Sequence, residues 1–372
     1  MKQTDPLLHL DAVPLFLRDM PKAELHVHIE GTIEGEKVIE LADRNGVELP
    51  YKSAADVRAL QSKSLKNPHN NLANFLRCLD ISRSVLKRGE DFYDIAMAFF
   101  RRCHAQNVVY LEVMFDPQQA IRGGVSFCEH FEALLQAGRD AEADYGLRVQ
   151  WIMTMQRDHP VEDALQTLKN ADPWRQHIAG VGLDNFETPG FPRMFLPFYA
   201  AARERGYRLS SHCDVNQPDS LTHIHDCITL LGVERIDHGL NTALDATLLE
   251  LVKERRIALT GCPTFMQSQG SPAADRLNMI KTLLEAGVRI SINTDDPAQF
   301  ASGYLCHTLA QAQIHAGFSD AQMLRLMENA FCSTWLPEPD KRDYLAALEA
   351  HNRKFVTENA SRHIDGAENR DP

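Results

Sequence analysis

Pro21-Lys22-Ala23-Glu24-Leu25-His26-Val27-His28-Ile29-Glu30-Gly31 is the stretch that decides the fold. Its centre, residues 24–29, is a short apolar run carrying two histidines two residues apart. As a β-strand, this spacing sends His26 and His28 to one face and Val27 and Ile29 to the other. One such histidine would read as a core residue bonded to a nearby carbonyl. Two imidazoles side by side inside a barrel point to a metal. His223 and His225 are also two apart, but they lie in a helical pattern where such neighbours diverge.

Working outward, further strand-like runs occur at 108–115, 148–155, 180–184, 207–212, 234–238, 256–260 and 288–293. Their β-branched composition suits strands buried on both faces. Helical patterns, such as FCEHFEALLQAGRDAEADYG, separate them and several end at glycine. Eight strands with intervening helices predict a closed (β/α)8 TIM-type barrel rather than an open doubly wound sheet. The strand ends carry His212 in RLSSHCDV, His238 in RIDHGL, and Asp295-Asp296 in SINTDDP. A parallel barrel builds its catalytic centre from such positions.

Three neutral imidazoles and a carboxylate, from His26, His28, His212 and Asp295, suit one Zn²⁺ per chain with an open position for water or substrate. Iron, manganese and cobalt are the related alternatives, since affinity alone does not select the metal. His238, a fourth histidine on the same rim, fits a base beside the attacking water better than a further ligand.

The chain of 372 residues is 44% hydrophobic and 24% charged, ordinary for one globular domain spanning 1–372. A net charge of −12 argues against nucleic acid or an anionic membrane as partner. Eight cysteines with no C-x-x-C pair suggest reduced thiols and a cytoplasmic setting. The apolar N-terminal LLHLDAVPLFL reads as a strap packed on the body, and no membrane span is expected. Residues 30–107 form a helical insertion after the first strand, placed like a lid above the barrel mouth. Extra C-terminal helices follow the last strand, and residues 366–372 read as a disordered tail. The oligomeric state stays open.

PKAELHVHIEG, SSHCDV, RIDHG, a CPT turn and NTDDP, in this order over residues 20–335, resemble the adenosine deaminase family of the amidohydrolase superfamily. The resemblance implies a zinc-dependent hydrolase that releases ammonia from an adenosine-like or other aminated heterocycle. It implies that His26, His28, His212 and Asp295 bind zinc, and that His238 orients or deprotonates the attacking water. Asp295 would help pass the water proton to the leaving amine. Asp296 would accept a hydrogen bond from the substrate ring, and Glu30 would occupy the position that contacts a sugar 5′-hydroxyl. The cytidine-type zinc deaminases use H-x-E and P-C-x-x-C instead, a pattern absent from this chain.

The residues that would recognise a purine depart from the family pattern. The family reads H-A-G-E after the fifth strand; here Val215 stands at the position of that proton-donating glutamate. On the fourth strand D-L-A-G-x-E becomes Asp184-Asn185-Phe186-Glu187-Thr188, with Asp184 counted among the substrate-binding residues and Glu187 at the glycine's place. Glu187 is therefore a candidate catalytic acid relocated from Val215, the competing reading being a carboxyl turned to a helix or solvent. Other readings of the whole are a metal hydrolase of a different C–N or ester substrate, and a silent metal-binding protein.

Overall fold

A computed structural model of the chain describes residues 10–368 apart from 65–70, 214–216, 218, 264–271 and 301–302. Eight strands run in chain order: β1 (Lys22–His28), β2 (Val108–Phe115), β3 (Arg148–Gln156), β4 (Ile178–Asp184), β5 (Arg208–Cys213), β6 (Arg235–His238), β7 (Ala258–Gly261) and β8 (Arg289–Ile292). They pair in parallel in the order β1-β2-β3-β4-β5-β6-β7-β8. The ring closes just beyond β8. His28 N–H donates to the Asp295 carbonyl at 2.9 Å and Asp295 N–H to that of His26 at 3.1 Å, a parallel bridge centred on Val27 and Asp295. This is the expected (β/α)8 barrel.

The two faces of the strands are not alike, which refines the expectation from composition. Outward positions are aromatic and aliphatic. Trp151 and Phe115 pack against Phe100 and Phe131 on the flanking helices Gly89–Ala105 and Phe127–Tyr145. Inward positions are largely polar and wholly buried, among them Glu24, His26, Glu112, Thr154, Ser210, Arg235, Asp237, Thr260 and Asn293. Such groups persist only when bonded to one another. At the floor, Glu112 accepts from Arg235 at 2.5 Å, from Tyr110 at 2.8 Å and from the Trp335 amide at 2.7 Å. The Arg235 guanidinium lies 4.0 Å over the Trp335 ring. Gly180 makes room for that ring, since a Cβ there would fall 2.3 Å from it.

The insertion after β1 holds helices Gly35–Asn45, Ala54–Ser64, Asn71–Arg83 and Gly89–Ala105. Phe75 stacks on Phe300 at 5.1 Å, so the third of these sits over the loop that follows β8. The N-terminal strap contributes Phe16, packed on His351 and Phe355 of the last helix. That helix runs Glu338–Glu368, into the stretch expected as tail, and residues 369–372 lie outside the described part. No described helix is long and apolar enough to cross a membrane.

Candidate metal centre

β1 places His26 and His28 on the inward face, and the ends of β5 and β8 bring His212 and Asp295 to them. One ligand atom from each of the four residues lies within 4.8 Å of every other. His26 Nε2 is 3.2 Å and His28 Nε2 3.6 Å from Asp295 Oδ1. His28 Nε2 and His212 Nε2 stand 3.1 Å apart.

The hydrogen bonds behind the rings fix their tautomers. The Thr260 hydroxyl donates its single proton to Asp237 Oδ1 at 3.0 Å. Its oxygen can then only accept from His26 Nδ1, 2.9 Å away. His212 Nδ1 donates to the Leu183 carbonyl at 2.9 Å. Both rings therefore direct an Nε2 lone pair inward. Burial lowers His28 to about 4 and holds His212 well below its ordinary value, so both are neutral. His26 Nε2 is buried against the Asp295 carboxylate at 3.2 Å, and although burial lowers the imidazole, Asp295 raises it above its ordinary value. With His28 Nε2 and His212 Nε2 3.1 Å apart and His26 Nε2 3.2 Å from Asp295 Oδ1, one ligand atom from each of the four residues converges on a common point, an arrangement that suits a bound cation. The N₃O donor set fits zinc.

Burial alone would raise the Asp295 carboxyl, but His26, His238 and His28 together hold it well below the usual carboxylate range. Glu24 supports the turn that presents it, accepting from Thr294 N–H at 2.9 Å and Oγ1 at 2.5 Å. His238 would point outward if strand alternation held, because its neighbour Asp237 faces in. A left-handed φ of 63° turns it instead to the mouth. Its Nε2 lies 3.8 Å from Asp295 Oδ2 and its ring 4.7 Å from that of His26. Asp295 shares this backbone region at φ 65°.

The rim is acidic. Asp184 Oδ2 is 3.8 Å from His28 Nδ1. Asp296 is pushed well above its ordinary value by burial and by Asp295 beside it, and its Oδ1 lies so close over Gly31 that a Cβ there would be 2.0 Å away. Glu30, raised to about 7 by burial and by Asp116, accepts from the Asp116 amide at 3.0 Å. Glu30 and Asp116 line a cavity of about 230 Å³ with Arg83, Phe92 and Arg122. Arg83 is already engaged, 2.8 Å from Asp80 and 3.5 Å from Asp116.

Glu187 is buried, and both its oxygens are committed. Oε2 is 2.5 Å from His223 Nδ1 and Oε1 is 3.6 Å from Arg157 Nη2. Val215, the position whose glutamate is missing, lies outside the described residues. Thr260, Asp237, Asp116, Arg83 and Arg157 join the site beyond the residues expected from the sequence. Asp237 and Thr260 had a visible signal, polar residues within apolar strands beside RIDHG and the CPT turn. Arg83 had none, because only the fold brings the insertion to the mouth.

Comparisons with known proteins give the family and the fold. The family described as adenosine deaminase matches residues 21–351. An adenine deaminase of Zymomonas mobilis is 36% identical over 91% of this chain and 98% of its own length. The crystal structure of an adenine deaminase from Arthrobacter aurescens superposes with a TM-score of 0.81 at 29% identity, covering 90% of this chain and 99% of that one. An amidohydrolase from Burkholderia ambifaria with bound zinc shares the fold at a TM-score of 0.83 and 24% identity, over 93% and 94% of the two chains.

Proposed function

The chain belongs to the adenosine deaminase family and is a hydrolase releasing ammonia from a C–N bond of an aminated purine; from that premise we propose that it is a zinc enzyme acting on a free purine base such as adenine. The observation that carries the metal is the convergence of His26, His28 and His212 lone pairs on Asp295. One zinc ion per chain, held by these four residues, would supply Lewis acidity that lets water ionise near neutral pH. His238 lies where it can take a proton from the attacking water and then, as imidazolium, stabilise the oxygen added to the ring. Asp295, held ionised by its histidines, can pass a proton toward the leaving amine. Asp296, buried at the mouth with its carboxyl raised by burial and by Asp295, presents a hydrogen-bonding group to the ring.

The rim favours a neutral base over a nucleotide. Glu30, Asp116, Asp184 and Asp296 crowd it, and Arg83 is already paired with Asp80 and Asp116. A phosphate there would have to displace the Asp80 and Asp116 partners of Arg83 and the Gln119 and Gln156 partners of Arg122. We read the helix Asn71–Arg83 as the lid over this mouth, and the eight free cysteines support a reducing, cytoplasmic setting.

The test is ammonia release by zinc-loaded protein from adenine, adenosine, AMP, and a panel of aminopteridines and aminopyrimidines. Adenine, or a similar uncharged aminopurine, should be turned over far faster than adenosine or AMP. Efficient turnover of AMP would overturn the choice of base, and no ammonia from any compound would overturn the reading as a whole.

A further inference from the structure

Behind the metal ligand His212 lies a second buried polar cluster that the proposed reaction does not use. Arg157, at the end of β3, is fully enclosed. Its Nε and Nη2 donate to the Asn185 carbonyl at 3.0 and 2.7 Å, and its Nη1 donates to the His212 carbonyl. The guanidinium therefore ties together the ends of three strands, β3, β4 and β5. Asn185 is held in turn, with a left-handed φ of 69° and its amide donating to both Asp158 oxygens at 2.8 and 3.0 Å.

A buried guanidinium requires a counter-charge and a fixed orientation. Glu187 supplies the charge, with Oε1 3.6 Å from Arg157 Nη2. Its other oxygen is gripped by His223 at 2.5 Å, and Phe191 lies under the guanidinium at 4.9 Å and against the His223 ring at 4.8 Å. His223 sits on the helix Ser220–Asp226.

We infer that Glu187 and Arg157 are positioning residues that hold the main chain of His212 in register for the metal, Glu187 acting through Arg157 and not as the proton donor to the ring. Outer partners of ligating histidines commonly change metal affinity by about 10- to 100-fold. His212 is held on two sides, by its ring bond to Leu183 and by the bond of its carbonyl to Arg157. Loosening the second lets the ring swing about the first. The position where the family has glycine then carries the acid that balances Arg157.

The inference rests on the zinc centre proposed above, and the experiment separates the two. Metal content and zinc affinity by chelator competition are measured for the unmodified protein, E187Q and R157M, with visible spectra of the cobalt(II)-loaded forms. If the unmodified protein binds no stoichiometric metal, the zinc centre itself fails. If it does, both variants should lose zinc affinity by roughly tenfold or more and shift the cobalt bands, with E187Q/R157M no worse than R157M alone. A role confined to global stability would lower the melting temperature and leave the cobalt bands of the folded protein unchanged. An E187Q protein with native zinc affinity and cobalt spectrum, yet little turnover, would overturn the inference in favour of an acid acting on substrate. Should either variant not fold, R157K and H223Q decide. Lysine keeps the charge but cannot reach both carbonyls, so native cobalt spectra in both would also overturn it.

Discussion

Thr260→Val removes a single hydroxyl while keeping the shape of a β-branched residue in the middle of the barrel. That hydroxyl joins His26 Nδ1 to Asp237, at 2.9 and 3.0 Å. Without it the His26 N–H is left as an unsatisfied buried donor, at a cost of about 1–3 kcal/mol. The ring can avoid that cost by changing tautomer or rotating, and either movement takes the Nε2 lone pair from the metal. The expected loss of zinc affinity is about 10- to 100-fold, or about 1.4–2.8 kcal/mol, in line with the direct cost of the missing bond. Chelator competition on folded protein measures it. Thr260→Ser, which keeps the hydroxyl, should retain nearly native affinity. Native zinc affinity in the valine variant would refute the assignment of His26 Nδ1–H to Thr260, and with it the argument that the network prepares the ligand.

His26→Ala and Asp295→Ala should each strip the metal, read by elemental analysis of purified folded protein; full occupancy in both would remove the site assignment. His238→Asn should keep the metal and lower turnover by roughly a hundredfold or more, since His238 stands beside the cluster without belonging to it; normal turnover would make His238 structural. His130, buried among Phe92 and Phe115 with neither ring nitrogen bonded, is held by burial to about 3. Because an unfolded histidine titrates near 6.5, the unfolded chain binds the extra proton between these values, and stability falls with acid across that window by about 1.4 kcal/mol per pH unit. His130→Phe should be spared this loss, so its melting temperature relative to the native protein should rise as pH drops from 6.5 toward 3; a constant difference would contradict it.

The fold was legible because the parallel strands are marked by apolar runs whose ends carry the unusual residues. All eight were found to within two residues, and His26, His28, His212 and Asp295 converge as the H-x-H and DDP motifs implied. Two aspects were not readable. Alternation gives the direction of a side chain only while the backbone stays extended, so His238, turned by a positive φ, could be assigned to the mouth by motif but not by period. Pairings between distant elements leave no local trace. Nothing near Glu187 in sequence announces that Arg157 and His223, 30 and 36 residues away, meet its carboxylate.

The seam of the barrel has a consequence for how the protein is made. The backbone bonds that close the ring join residues 26–28 to Asp295, and the same residues supply three of the four proposed ligands. A chain emerging from the ribosome carries both β1 histidines almost at once. It lacks the carboxylate until nearly four-fifths of its length has been synthesised. Until then the first strand has no partner on one side and the site has no negative charge to oppose a dication. The proposed site would therefore be complete only once the ring closes, and an ion bound there would act as a clasp across the seam. Loss of the ion should be felt first as fraying between the first and last strands, where hydrogen exchange of the His28 and Asp295 amides would report it.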